Sequence, residues 1–269
     1  MTETLKGRTA LVTGSVQGIG LAIAVELAKQ GARLALHGLA DKDEQAAACD
    51  AVRAAGGGEV RFFDGDLRNP QAIESLIAAV QAWAPIDILV NNAGVQKTVP
   101  LAEATRATWD MVIAINLSAA FDTMRMCLPG MATRGYGRVI NIASVHGLVG
   151  SVDKAPYVAS EHGLIGMSKV AALEYAAQGD KARGGNTVNC LCRGWTWTAI
   201  IQPKVTAPGG GIVSGLTVRA GEDVAAGDVI MTLYAPDSLL EARLFLHPDN
   251  AGMIAVGQTV EMQLKAYPH

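Results

Sequence analysis

The run Thr13-Gly14-Ser15-Val16-Gln17-Gly18-Ile19-Gly20 is the first stretch of this chain whose spacing suggests chemistry. It follows a short apolar segment of strand character and opens a segment of helical character. Glycine lets the backbone turn tightly and come close to a ligand, while the first turn of a helix presents free N–H groups and a partial positive charge. A pyrophosphate is the group such a loop holds. A glycine-rich loop alone is often an ordinary turn, so the strand before it and the helix after it carry the weight. Ser144 and His146 would also suit a nucleophilic hydrolase, but no Gly-x-Ser-x-Gly elbow surrounds the serine. Taken singly, Ser144, His146, Lys154 and Tyr157 would more often be structural than catalytic.

The elements that must position these residues follow an alternating pattern. Six short segments rich in β-branched and apolar residues, RTALVTG, ARLALHG, EVRFFDGD, IDILVNNAG, GRVINIAS and NTVNCLC, are separated by helical stretches near 18–30, 43–55, 70–83, 105–130 and 155–178. Strand and helix alternation of this kind predicts an α/β fold with a doubly wound parallel sheet of Rossmann type. Continuous apolar runs such as Ile86-Asp87-Ile88-Leu89-Val90 fit strands covered by helices on both faces. Beyond residue 202 the texture changes to glycine-centred turns between short alternating segments, which predicts a small all-β module of barrel-sandwich type. The expected domains are therefore 1–202 and 203–269, with the boundary between 201 and 208.

Composition narrows the function classes. The chain has 269 residues, half of them hydrophobic, enough for one large core or a medium core with an appended module. A formal net charge of -3 leaves no basic excess to neutralise a phosphate backbone, so a nucleic-acid partner is not expected. The N-terminal segment MTETLKGRTALVTG lacks the basic and apolar regions of a leader, and no apolar run reaches the roughly 18 residues a membrane span needs, so the expectation is a cytoplasmic protein without a membrane partner. Cys49, Cys127, Cys190 and Cys192 lack zinc-site spacing and read as free thiols. No metal site is expected.

The glycine loop is spaced TGxxxGIG, and the later motifs arrive in a fixed order: Asn91-Asn92-Ala93-Gly94 after the fourth strand, Asn116 in a helix, Ser144 at the end of the fifth strand, then Tyr157. In these motifs residues 6–202 resemble the short-chain dehydrogenases/reductases. The resemblance implies hydride transfer between a secondary alcohol and a nicotinamide dinucleotide, with Tyr157 as the proton-transferring group, Ser144 as the hydroxyl that holds the substrate oxygen, and Asn116 supporting a proton-relay water. It implies a cofactor site of Gly14, Ser15, Gln17, Gly18, Ile19, Gly20, Leu39, Asp66, Leu67, Asn92, Ala93, Gly94, Gly194 and Thr198. No Arg or Lys stands in the glycine loop or at His37-Gly38-Leu39-Ala40, where an added 2′-phosphate would need a cation, so NAD is expected over NADP. A homo-oligomer, dimer or tetramer, is also implied.

Two positions depart from the family pattern. A lysine one helical turn after the tyrosine binds the nicotinamide ribose and lowers the phenol pKa in that family, and here the position is Glu161. Neither Lys154 nor Lys169 has the spacing to substitute. The Pro-Gly turn after the sixth strand is Arg193-Gly194, and Arg does not preset a turn as proline does. Weak or absent turnover follows as the expectation, with a non-catalytic dinucleotide-binding protein as the alternative.

The segment NIASVHGLVGSVDKAPYVAS is similar to that of D-3-hydroxybutyrate dehydrogenases. That resemblance implies a short hydroxy or keto acid as substrate, its carboxylate held by Gln96, His146, Lys154 and Gln202. Residues 203–269 instead resemble the β-rich core of HlyD-type membrane-fusion proteins, so the chain reads as a fusion that lacks the family's covering helix and seventh strand. An adaptor fragment carried on a Rossmann scaffold is the third reading.

Overall fold

The computed structural model describes residues 4–56 and 58–194, together with the strand backbones Ile212–Leu216, Val229–Tyr234 and Glu241–Phe245. In the first compact unit, strands β1 (Thr9–Val12), β2 (Arg33–His37), β3 (Val60–Phe63), β4 (Ile88–Asn91), β5 (Tyr136–Ser144) and β6 (Gly185–Arg193) form one sheet in the order β3-β2-β1-β4-β5-β6. Every pairing is parallel. The six strands predicted from apolar patterning are all present.

Helices α1 (Gly18–Lys29), α2 (Lys42–Ala55), α3 (Pro70–Trp83), α4 (Arg106–Ile113), α5 (Ala119–Arg134) and α6 (Ala155–Ala176) supply the crossovers. Strand periodicity of two sends Leu11 into a core with α3, α5 and α6, and its neighbours Ala10 and Val12 into a core with α1 and α2. The whole of β1 is consequently buried. Buried apolar surface at roughly 25 cal/mol per Å2 is the main term holding these layers together.

The single helix predicted near 105–130 is α4 and α5 joined by a π-turn at Ala114–Ser118. The run Arg106–Arg134 is long enough and on average apolar enough to cross a bilayer, but Asp110, Asp122 and Arg125 interrupt it, and half of the qualifying window is buried inside the domain as in a core helix. A polar network also threads the core. Asn91 Nδ2 donates to Asn141 Oδ1 at 2.8 Å, Thr123 Oγ1 donates to Asn91 Oδ1 at 2.8 Å, and Asn141 Nδ2 donates to Ser168 Oγ at 2.8 Å. These bonds fix α5 and α6 against β4 and β5 at the level of the strand ends, where the site lies.

The sheet changes winding direction between β1 and β4, and the carboxyl ends of these adjacent strands open a crevice of the kind where α/β proteins bind ligands. In the second compact unit, β7 (Ile212–Leu216), β8 (Val229–Tyr234) and β9 (Glu241–Phe245) pair antiparallel in the order β7-β8-β9. The boundary expected between 201 and 208 lies outside the described residues.

Candidate functional site

The glycine loop leaves β1 and folds onto the turn after β4. Gly14 has φ +64°, and a Cβ on it would come within 2.9 Å of Ala93 Cα; a Cβ on Gly20 would come within 2.2 Å of Gly14 O and 2.5 Å of Asn92 Nδ2. Both contacts are too short for any side chain, so the loop closes only with glycine at these places. Asn92 Nδ2 donates to the Thr13 and Gly14 carbonyls at 3.0 Å, and the Asn92 and Ala93 N–H groups donate to Thr13 Oγ1 at 3.0 and 3.1 Å. Asn92 and Ala93 thus brace the loop. Ser15 is buried, its hydroxyl donating to Val12 O at 2.9 Å.

Helix α1 starts without a side-chain cap at Gln17 and with no acid in its first turn. By contrast, Asp41, Asn69 and Thr105 cap α2, α3 and α4 through their side chains. Exposed Gly18 and part-buried Ile19 follow Gln17. The loop therefore presents first-turn N–H groups that no side chain among the described residues satisfies, beside a tight glycine turn, and that combination fits a pyrophosphate. Leu39 is exposed beyond β2 and Leu67 is buried after β3. Asp66 is gripped by Arg68, whose Nη2 donates to Oδ2 at 2.6 Å and holds the carboxyl below its ordinary range, a partner that sequence reasoning missed. Gly194 is exposed just past β6. Thr198 and Gln202 lie outside the described residues.

Asn116 sits in the π-turn, a helix irregularity frequent at functional sites. Its Oδ1 accepts from the Val95 N–H at 2.8 Å and its Nδ2 donates to Val95 O at 2.9 Å and to Ser160 Oγ at 3.3 Å. Ser160 donates in turn to Tyr157 O at 2.7 Å, so Asn116 is linked to the tyrosine through α6.

Ser144, His146, Lys154 and Tyr157 come together at the end of β5. Ser144 Oγ accepts from the His146 N–H at 3.2 Å and lies 3.5 Å from His146 Nδ1. The His146 ring stands edge-on to Tyr157 with centroids 6.1 Å apart. Lys154 is only 9% exposed, unlike a solvated surface lysine, and its charge acts on His146. Burial first and then that charge lower the His146 pKa, which favours a neutral imidazole beside an ammonium. Burial also lowers the Lys154 pKa. Gln96 is exposed on the loop after β4, and the Val99 N–H of that loop donates to Asp153 O at 2.7 Å, tying it to the segment that ends in Lys154. Asp153 itself has φ 59°, a left-handed conformation uncommon outside glycine.

Glu161 lies one turn beyond Tyr157 and is 5% exposed. Burial pushes its carboxyl up to about 7, opposed by the Ser144 backbone N–H and by Arg193, and its Oε2 has no hydrogen-bond partner among the described residues. The Tyr157 phenol is also raised, first by burial and second by Glu161, with the Ser144 hydroxyl and Arg193 pulling the other way. Two corrections to the sequence reading follow. Burial outranks Glu161 as the cause, and Arg193, read as the loss of a turn-forming proline, is a cation near both groups. It stands opposite Ser144 in the β5–β6 register.

A family model described as short chain dehydrogenase matches residues 8–208. The chain is 44% identical over 204 residues to a D-beta-hydroxybutyrate dehydrogenase of Cupriavidus necator, an alignment covering 76% of each protein. It is 38% identical over 250 residues to a D-beta-hydroxybutyrate dehydrogenase of Rhizobium meliloti, covering 92% of this chain and 94% of that one. Among solved structures, a 3-oxoacyl (acyl-carrier-protein) reductase from Agrobacterium tumefaciens with NADP bound superposes with a TM-score of 0.68 at 34% identity, covering 74% of each chain.

Proposed function

The chain belongs to the short-chain dehydrogenase family, and from that premise we propose that it is an NAD-dependent oxidoreductase of a short 3-hydroxy acid, converting D-3-hydroxybutyrate to acetoacetate. The observation that carries the reading is the packing of Ser144, His146, Lys154 and Tyr157 into one part-buried cluster. A small hydroxy acid offers little apolar area, so charge-assisted hydrogen bonds must supply both its binding and its orientation. Lys154 provides a poorly hydrated ammonium and neutral His146 a donor, with Gln96 on the loop tied to them and Gln202 the fourth proposed contact.

A bound nicotinamide dinucleotide supplies the two-electron acceptor. This chain's own residues do the rest. Tyr157 takes the hydroxyl proton, Ser144 holds the same oxygen, and Asn116 fixes the loop and helix on either side of them. The cofactor residues proposed are Gly14, Ser15, Gln17, Gly18, Ile19 and Gly20 at the pyrophosphate, Leu39, Asp66, Leu67, Asn92, Ala93 and Gly94 towards the adenosine, and Gly194 and Thr198 at the carboxamide.

The raised Tyr157 pKa favours slow turnover at neutral pH, and it supports the second reading, a dinucleotide-binding protein without useful activity. NADH formation from D-3-hydroxybutyrate separates the two; saturable NAD binding without NADH formation would overturn the enzyme reading. A homo-oligomer and a cytoplasmic location belong to the same proposal, and an HlyD-type origin for residues 203–269 is the competing reading of that segment. The family match ends at residue 208, whereas the Rhizobium meliloti alignment runs on beyond it and favours a continuous dehydrogenase chain. A dispersed NMR spectrum from residues 203–269 expressed alone would support a separate module.

A further inference from the structure

His37 closes β2, is 2% exposed, and is bonded on every polar edge. Its backbone N–H donates to Ser15 Oγ at 3.0 Å and its carbonyl accepts from the Ser15 N–H at 2.8 Å. On the ring, Nδ1 lies 3.4 Å from the Gly14 nitrogen, and Nε2 lies 2.9 Å from Gly65 O. Gly14 can only donate and Gly65 O can only accept. The pair of bonds therefore requires the neutral imidazole with its proton on Nε2, because a second proton on Nδ1 would face the Gly14 N–H donor to donor.

The three segments joined in this way are the glycine loop, the end of β2 and the loop after β3 that leads into Asp66 and Leu67. All lie at the carboxyl ends of the first three strands. We infer that His37 is a positioning residue for the dinucleotide site, holding the Gly14 turn in its binding conformation only while its imidazole is neutral. The inference rests on the dinucleotide reading above.

Burial lowers the His37 pKa, opposed by its bond to Gly65 O and by the Asp64 carboxylate. The glycine loop, residues 13–20, contains no titratable group. Of the remaining neighbours after β3, Asp66 is held in its pair with Arg68. Protonation of His37 breaks the Gly14 bond, so dinucleotide affinity falls on acidification below the His37 pKa. That pKa is itself lower than the ordinary histidine value.

The test is calorimetric titration of the full chain with NAD from pH 8 down to the lowest pH at which far-UV circular dichroism is unchanged, for the wild type and for His37→Asn, whose amide oxygen can still accept from Gly14. Alongside it, imidazole 15N spectra of the wild type, with His37 assigned through coupling to the Gly14 amide, report the tautomer without any substitution. The expected result is an Nε2-protonated ring and a wild-type Kd that rises about tenfold per pH unit below the His37 titration, with that slope lost in His37→Asn. Equal slopes in the two proteins, or a ring protonated on Nδ1, overturn the inference while leaving NAD binding intact. Absence of NAD binding to the wild type at every pH overturns the dinucleotide reading and the role of His37 with it.

Discussion

Glu161 and Tyr157 lie one turn apart on the buried side of α6, and the carboxylate holds the phenol pKa up where a dehydrogenation base needs it held down. The pair is one reason, after burial itself, for expecting poor proton transfer at neutral pH. Arg193 offsets part of this effect from the neighbouring strand end.

Glu161→Lys should increase NADH formation from D-3-hydroxybutyrate at saturating NAD, by at least about tenfold near neutral pH. At an effective dielectric near 20, one unit of charge at about 5 Å, the general spacing of side chains one helical turn apart, is worth on the order of 3 kcal/mol, an upper bound where water enters. Steady-state rates of the two proteins across pH provide the check. Equal rates would move the defect to Arg193 or to residues beyond Gly194.

Stability should respond to pH through the same carboxyl. Folding raises the Glu161 pKa from 4.5 to about 7, so the folded state favours the protonated form. That contribution is fully present below 4.5 and is lost as pH rises through about 7. Glu161→Gln should therefore exceed the wild type in stability at pH 8 by about 1–3 kcal/mol, and the gap should close as the pH approaches the ordinary carboxylate range. Urea unfolding at the two pH values measures it; a gap independent of pH would show that the carboxyl has the same pKa in the folded and unfolded protein.

Lys154→Ala should raise the KM for hydroxybutyrate by about 10- to 100-fold, the loss of one charge-assisted hydrogen bond of roughly 1.5–3 kcal/mol, and leave the Kd for NAD unchanged. Kinetics for the acid and calorimetry for the cofactor separate the effects. A parallel loss of NAD affinity would place the lysine in the cofactor site instead.

NAD should bind more tightly than NADP. The glycine loop carries no cation, Leu39 stands exposed after β2, and Asp66 in the loop after β3 already occupies Arg68. Competitive calorimetry with the two dinucleotides decides the point, and tighter NADP binding would show that Arg68 turns from Asp66 to the added phosphate.

Local sequence determined most of the scaffold. Apolar runs of strand length, a TGxxxGIG loop and capping residues such as Asp41 and Asn69 are short-range signals, and each specifies an element or a turn regardless of what packs on it. Their order along the chain was enough to mark Asn116, Ser144, Tyr157 and the anomaly at Glu161. Tertiary structure decided the environments. The burial of Lys154, the grip of Arg68 on Asp66, the closeness of Arg193 to Glu161 and the bonds of His37 to Gly14 and Gly65 join residues that are distant in sequence or unremarkable in type. Charge state and hydrogen bonding depend on what water is excluded and which partner faces the group, and neither exists until the sheet has brought the strand ends together.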